Sequence, residues 1–369
     1  MKVLVNIGHP AHVHFYKNFI WEMEKKGHEI LIAAQRKEVT IDLLKAYNFK
    51  YKYIGKKYNG IIKKIIGKVY RNLLLYKLVK KYKPNILTGI LDSSSAQVGK
   101  LMGIPSIIFT DTEEVKASNV LAFPFASTIC TPACFLKELG DRHIRYNGYH
   151  ELAYLHPNYF KPDLRVLENL GISKKDRYVV VRFISWSASH DIKLKGIKER
   201  TELEFIKSLE EYGCVFVTSE RKLDRKLEKY RISIPPEDIH SLLYYANLYI
   251  GEGGTMAVEA AILGTPSIHV ESTHSGIPTG TFSGNFLELR NRYNLLYFYP
   301  DQEQALKKAI EILENKKSKS IWRKRRERLI TDKIDVTEWM VNFIDEYPES
   351  LYKYGGCLLY TSPSPRDRG

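Results

Sequence analysis

The sequence predicts an α/β protein of two Rossmann-type parallel-sheet domains facing across a cleft, with added helices at the C-terminus. Three observations carry this. Strand, helix, strand, helix, strand follow one another from the first residue. Past the chain's first third, the run Tyr-Val-Val-Val-Arg-Phe (Tyr178 to Phe183) restarts the alternation. Finally, Leu101-Met-Gly-Ile-Pro-Ser-Ile107 is echoed by Ile262-Leu-Gly-Thr-Pro-Ser-Ile268, a helix stop and strand start at corresponding places in the two halves. Such alternation builds doubly wound sheets whose buried strands are covered by helices on both faces.

Lys2 to Ile7 is β-branched-rich, as a buried parallel strand requires. Gly8-His-Pro-Ala-His-Val-His-Phe15 leads into a helix with Phe19, Ile20 and Met23 on one face, ending at Gly27. Strands at 28–33 and 51–54 flank a helix near 39–47. Residues 56–83 form a basic amphipathic segment in which Ile62, Ile65, Ile66, Val69, Leu73 and Tyr76 recur at helical spacing. Two readings stand: a helix packed on the sheet with a solvated lysine face, which is favoured, or peripheral contact with an anionic membrane. A strand at 85–91 ends at Asp92-Ser-Ser-Ser95, and another before Thr110-Asp-Thr-Glu-Glu114; Thr128 to Thr131 continues the sheet.

The first domain is placed at 1–160 and the second, with the terminal helices, at 161–348. Leu248 to Val270 reads as strand, glycine turn, helix, turn, strand. Thr255 is expected to cap that helix, Gly264 to stop it and Pro266 to open the next strand. Helices near 302–315, 322–330 and 337–347 follow. Residues 355–369 show no periodicity and read as a non-native sequencing-adapter tail.

Lys and Arg number 57 against 42 Asp and Glu, a balance of +15; leaving out Arg366, Asp367 and Arg368 gives +14. This favours acidic partners such as nucleotides or phospholipid head groups. Recognition modules for specific nucleic acid are absent from the sequence. Cys130 and Cys134 have no second pair to complete a zinc site, and so few cysteines fit a reducing compartment. No apolar run reaches the ~18 residues of a membrane span, so a cytoplasmic protein, in peripheral contact with the inner membrane face at most, is expected.

In open parallel sheets, ligands bind beyond the carboxyl ends of the strands. The polar clusters fall there: His9, His12 and His14; Asp92; Asp111, Glu113 and Glu114; Ser185 to Asp191; and Gly251, Gly253 and Gly254. A glycine turn feeding a helix start exposes N–H groups to a phosphate. A histidine beside a carboxylate can act as general base. Asp92 can alternatively be a helix cap, Arg182 and Lys195 either phosphate contacts or partners of nearby acids, and at least one histidine a structural one.

Gly8-His-Pro-Ala-His-Val-His-Phe15, Asn119 with Pro124-Phe-Ala126, Ser185-Trp-Ser-Ala-Ser-His-Asp191 and Gly253-Gly-Thr-Met-Ala-Val-Glu-Ala-Ala-Ile-Leu-Gly-Thr-Pro266 resemble domain-of-unknown-function family 354, up to about Tyr347. The resemblance implies the two-domain glycosyltransferase fold called GT-B. Asp92-Ser-Ser-Ser95, Gly253, Gly254, Glu259 and Ala260 are also similar to UDP-N-acetylglucosamine 2-epimerases, where the turn holds the diphosphate and the glutamate contacts the ribose. The epimerase His-x-Glu-Ala-Gly motif is replaced here by Thr110-Asp-Thr-Glu-Glu114, which weakens the epimerase reading.

The expectation is a metal-independent, UDP-sugar-dependent glycosyltransferase without a tightly bound cofactor. Arg182, Ser187, His190, Gly253, Gly254, Thr255 and Glu259 bind the donor. His12 or His14 is the base, with Asp111, Glu113 and Asp92 as orienting or alternative catalytic groups. A UDP-N-acetylglucosamine 2-epimerase and a non-catalytic nucleotide- or nucleic-acid-binding protein are the alternatives.

Overall fold

A computed structural model describes residues 1–56, 60–113, 116–185 and 194–355. The chain divides into two compact units: Met1–Tyr154 with the segment from Ile334, and Leu155–Lys333.

The first unit is built on seven strands, β1 (Lys2–Ile7), β2 (Glu29–Arg36), β3 (Tyr51–Lys56), β4 (Ile86–Ile90), β5 (Ser106–Phe109), β6 (Thr128–Pro132) and β7 (His143–Tyr146). They are joined through helices α1 (Pro10–Lys25), α2 (Thr40–Ala46), α3 (Ile61–Tyr82), α4 (Ser93–Met102) and α5 (Lys116–Ala122), and α6 (Leu152–Leu155) follows β7. The order is β3-β2-β1-β4-β5-β6-β7, parallel throughout. Because helices cover both faces, β1 is apolar on both: Val3, Leu4, Val5 and Ile7 are buried, with Phe15, Phe19, Ile20 and Met23 of α1. The second half of α3 packs as expected, Leu75 and Val79 joining Leu4, Ala33, Ile54, Leu87 and Val98 in one apolar cluster.

In the second unit are β8 (Tyr178–Phe183), β9 (Leu194–Lys195), β10 (Cys214–Ser219), β11 (Leu248–Gly251), β12 (Ser267–Val270), β13 (Ser272–Thr273) and β14 (Leu296–Tyr299). Its helices are α7 (Arg165–Asn169), α8 (Glu202–Glu210), α9 (Ile239–Tyr245), α10 (Gly254–Ile262), α11 (Gly284–Asn291), α12 (Gln302–Glu314) and α13 (Ser318–Asp332). Five strands form a parallel sheet in the order β10-β8-β11-β12-β14, and β9 and β13 make a small antiparallel pair. Each sheet has one point where the strand order reverses, between β1 and β4 in the first and between β8 and β11 in the second. Connections leave those two strands in opposite directions, which opens a crevice at their carboxyl ends.

Several short elements escape the sequence reading, β7, β14 and α11 among them. The two strands are four residues each, too short to show a period, and α11 starts on glycine, a poor helix former. The terminal helices need a correction. All three are expected with the second domain; α12 and α13 are there, but the last, α14 (Val336–Asp345), belongs to the first unit, as does α15 (Glu349–Gly355). Ile334 N–H bonds the Asn147 carbonyl at 3.0 Å, Thr337 Oγ1 bonds that of Ala153 at 2.7 Å, and Trp339 lies 4.8 Å from the Tyr146 ring. An amphipathic pattern shows that a helix buries one face; it does not say against which sheet. Among the described residues, no helix is long and apolar enough to cross a membrane.

Candidate functional site

At the second unit's reversal point, the chain leaves β11 through Gly251-Glu-Gly-Gly254. Gly251 lies in register with Arg182 of β8, and a Cβ there would come within 2.6 Å of the Arg182 carbonyl oxygen, so only glycine fits. Gly253 has φ 81° and is the N-cap of α10, with no side-chain cap. Thr255, the cap expected from the sequence, instead sits exposed in the first turn, because Gly254 already has helical backbone. The first turn holds no acid. Among the described residues, α10 therefore begins with N–H groups that no side chain caps, at the positive end of its dipole.

Glu252, which sequence reasoning passed over, is wholly buried. Its Oε2 accepts from Ile184 N–H at 2.9 Å and its Oε1 from Ile197 N–H at 2.8 Å. Burial pushes its carboxyl up to about 8, against the pull of those two donors. The glycine turn is thus tied to both flanks of the segment that carries Ser187 and His190; those two residues lie outside the described residues. The available signal was an acid placed between an apolar strand and an apolar helix, where a solvated charge is out of place.

Arg182 is paired with Glu220, whose Oε2 also accepts from Ser185 Oγ at 3.3 Å. Glu259 is buried on α10, its Oε1 3.0 Å from His240 Nε2 of α9. Both expected donor contacts thus have protein partners.

In the first unit, α1 starts directly after β1. His9 caps it, accepting from Ala11 N–H at 3.2 Å, and Pro10 fills the first turn. His12 Nδ1 accepts from Gly8 N–H at 3.3 Å. Burial, and then the nearby His9, Lys37 and His150, hold its pKa well below the usual histidine value. A neutral ring accepting at Nδ1 carries its proton on Nε2, so His12 is set to donate from that nitrogen rather than to act as a base.

The base geometry occurs at His150, another residue the sequence reading missed. His150 is buried; its Nδ1 lies 3.5 Å from Asp111 Oδ2, and its Nε2 has no hydrogen-bond partner among the described residues. Burial lowers its pKa and Asp111 partly restores it. Asp111 thus favours the tautomer with the proton on Nδ1, which leaves the lone pair on Nε2, an atom that is itself buried. His150 follows β7 at the sheet's carboxyl end, and overlooking that strand hid the residue.

The remaining expected residues are elsewhere. His14 is two positions from His12, about 200° around the helix, and packs between Tyr47 and Tyr154 with Nδ1 3.3 Å from the Tyr47 hydroxyl. Glu113 is buried and accepts from Leu136 N–H at 3.2 Å, while its carbonyl accepts from Lys137 Nζ at 2.6 Å; it ties the loop down. Asp92 caps α4: Oδ1 accepts from Ser94 N–H at 3.0 Å and Oδ2 from Asn6 Nδ2 at 2.7 Å. Burial raises its pKa against these bonds. The structure therefore associates His12, His150 and Asp111 and leaves His14 and Glu113 in structural positions. Among the described residues, no three His, Cys, Asp or Glu side chains are grouped to hold a metal ion.

The family model described as "Protein of unknown function (DUF354)" matches residues 1–346. The chain belongs to this family. An uncharacterised protein of Methanocaldococcus jannaschii is 31% identical to this DUF354 chain over 281 residues, 73% of this chain and 81% of that one. The UDP-GlcNAc 2-epimerase from Neisseria meningitidis, bound to UDP-GlcNAc, superposes with TM-score 0.62 at 13% identity over 94% of this chain and 100% of that one. A Streptomyces glycosyltransferase superposes with TM-score 0.59 at 12% identity, again over 94% and 100%. At such identities the likeness shows the fold: a DUF354 chain has the GT-B architecture.

Proposed function

We propose that this DUF354 protein is a glycosyltransferase that uses a nucleotide-sugar donor, a UDP-sugar, and works without a metal. The observation that carries the reading is the start of α10, a glycine turn at a reversal point whose uncapped N–H groups suit a diphosphate. The Neisseria structure, with its bound UDP-GlcNAc, supports a nucleotide sugar as the ligand of such a fold. In this reading, the second unit holds the donor and the first activates the acceptor. His150 Nε2 takes the acceptor hydroxyl proton, the acceptor oxygen bonds to the anomeric carbon, and the bond from that carbon to the diphosphate breaks with its electron pair leaving on UDP. The α10 dipole stabilises the charge that develops on the diphosphate.

A thermal-shift screen against UDP-, GDP-, CMP- and TDP-sugars tests this directly. UDP-sugars should raise the melting temperature most; if no nucleotide sugar does, the proposal fails. The fold likeness to the Neisseria enzyme keeps 2-epimerisation as the second reading. Incubation with UDP-N-acetylglucosamine and no acceptor separates the two: an epimer or free sugar supports epimerisation, and inertness until an acceptor is added supports transfer.

A further inference from the structure

The first half of α3 presents an apolar face that the rest of its unit leaves uncovered. Ile65, Ile66, Val69, Tyr70 and Leu73 are between 51% and 63% exposed. At 100° per residue they fall within an arc of about 140°, and Leu75 and Val79, which enter the core, fall outside that arc. Five large apolar side chains on one face are more than the scattered exposure of an ordinary surface. The patch has neighbours: Asn72 of α3 bonds Gln97 at 2.9 Å, and Gln97 bonds the Leu121 carbonyl at 2.9 Å, next to Val120, which is also exposed.

Charge decides what covers this face. Residues 56–83 contain no Asp or Glu, and the exposed Lys63, Lys77, Lys80 and Lys81 share the solvent side of the helix with the apolar stripe. A second copy meeting the same face by two-fold symmetry would set these lysines against one another with no acid from α3 between them. An anionic lipid surface matches both features, since acyl chains receive the apolar stripe and head groups the lysines. The helix cannot span a membrane, so it would lie in the plane of the interface.

We infer that α3 docks the first unit on an anionic phospholipid surface. This is independent of the donor and of the chemistry proposed above. Sedimentation of the full chain with vesicles of phosphatidylcholine and phosphatidylglycerol in equal parts, and with phosphatidylcholine alone, tests it. Binding to the anionic vesicles should be at least about tenfold stronger, and Lys80→Gln and Lys81→Gln should each weaken it about fivefold. The double variant Val69→Glu, Leu73→Glu should abolish sedimentation while keeping the wild-type thermal melt, because both side chains are exposed. Absence of binding to anionic vesicles overturns the inference, as does equal binding by the double variant. So does a solution dimer that this variant dissociates, which would assign the face to self-association.

Discussion

α4 and α10 start in corresponding places, each at the carboxyl end of a strand beside its sheet's reversal point. Their first residues differ in kind. In the first unit, Gly89 clears space for Asp92, whose Cβ would lie 2.7 Å from a Cβ at position 89, and the Asp92 carboxylate closes α4 by accepting from Ser94 N–H. In the second unit, Gly251 clears space for the neighbouring strand, and Gly253 starts α10 with no side chain to cap it. A carboxylate cap satisfies the end of a helix and repels an anion; a glycine start leaves the N–H groups and the dipole to a ligand. Two sheets of similar topology thus begin these helices with opposite electrostatics at the N-cap.

The largest expected effect tests the chemical half of this contrast. His150→Ala should lower turnover about 10²- to 10⁴-fold, the usual worth of a general base, with donor affinity unchanged in calorimetric titration. An equal loss of affinity would break the division of roles between the units. Because burial holds His150 below the ordinary histidine value, the acid limb of the rate profile should lie below pH 6.5. Asp111 raises that pKa, so Asp111→Asn should move the limb to lower pH.

Next in size is Gly253→Asp, which gives α10 the kind of start that α4 has. The new carboxylate should occupy or repel the diphosphate site, and UDP-sugar affinity should fall about 100-fold, equivalent to about 2.7 kcal/mol. The backbone there, φ 81° and ψ 127°, adds a folding cost of about 2 kcal/mol, which a denaturant melt reads separately. Gly253→Ala carries the same backbone strain but leaves the N–H groups uncharged, so its affinity loss should be the smaller of the two. Equal losses would mean that turn geometry, not the missing carboxylate, sets binding.

Much of this contrast was legible in the sequence. The glycine turn, the helix behind it and the Gly264 stop with φ 74° follow from local chemistry that needs no partner. The sequence allows Asp92 to be either cap or catalyst; the structure shows it as a cap. What stayed hidden was whatever depends on tertiary neighbours. The sequence offers His12 as a base, but its Nδ1 accepts from Gly8, and the pairing of His150 with Asp111 brings together residues from two different strands' loops. Glu252 looked like an ordinary loop acid because its two N–H partners lie 68 and 55 residues away in sequence.

Glu252 sharpens the comparison, since it is the carboxylate the second unit does place near its helix start, aimed at the loop flanks instead of at α10. Glu252→Gln removes one of the two acceptors and should cost about 2 kcal/mol, the worth of leaving a buried N–H unsatisfied. The wild type should also show a pH dependence that the variant lacks. The folded carboxyl titrates at about 8 against an ordinary 4.5. Between those values the unfolded chain has released a proton that the folded one keeps, so stability falls as pH rises through that window. Urea melts across pH 4.5 to 8 measure this, and parallel slopes in the two proteins would remove Glu252 from the account.

The smallest effect is expected from Asp92→Asn, and its smallness is what it tests. Asn caps a helix as well as Asp, and its single oxygen can keep the bond from Ser94 N–H. The bond from Asn6 must then be replaced. Asn6 Oδ1 has no partner among the described residues, so rotation of the Asn6 amide lets that oxygen accept from the introduced amide nitrogen. The variant also sheds the cost of a buried charge: the folded pKa of Asp92 is raised, so its contribution to stability is present at low pH and lost as pH rises past the ordinary carboxylate value. At pH 7 the variant should therefore melt within about 0.5 kcal/mol of the wild type and bind UDP-sugar unchanged. If it instead acquires phosphate binding in the isothermal titration, the carboxylate alone was keeping anions off α4. The two helix starts would then differ by one charge.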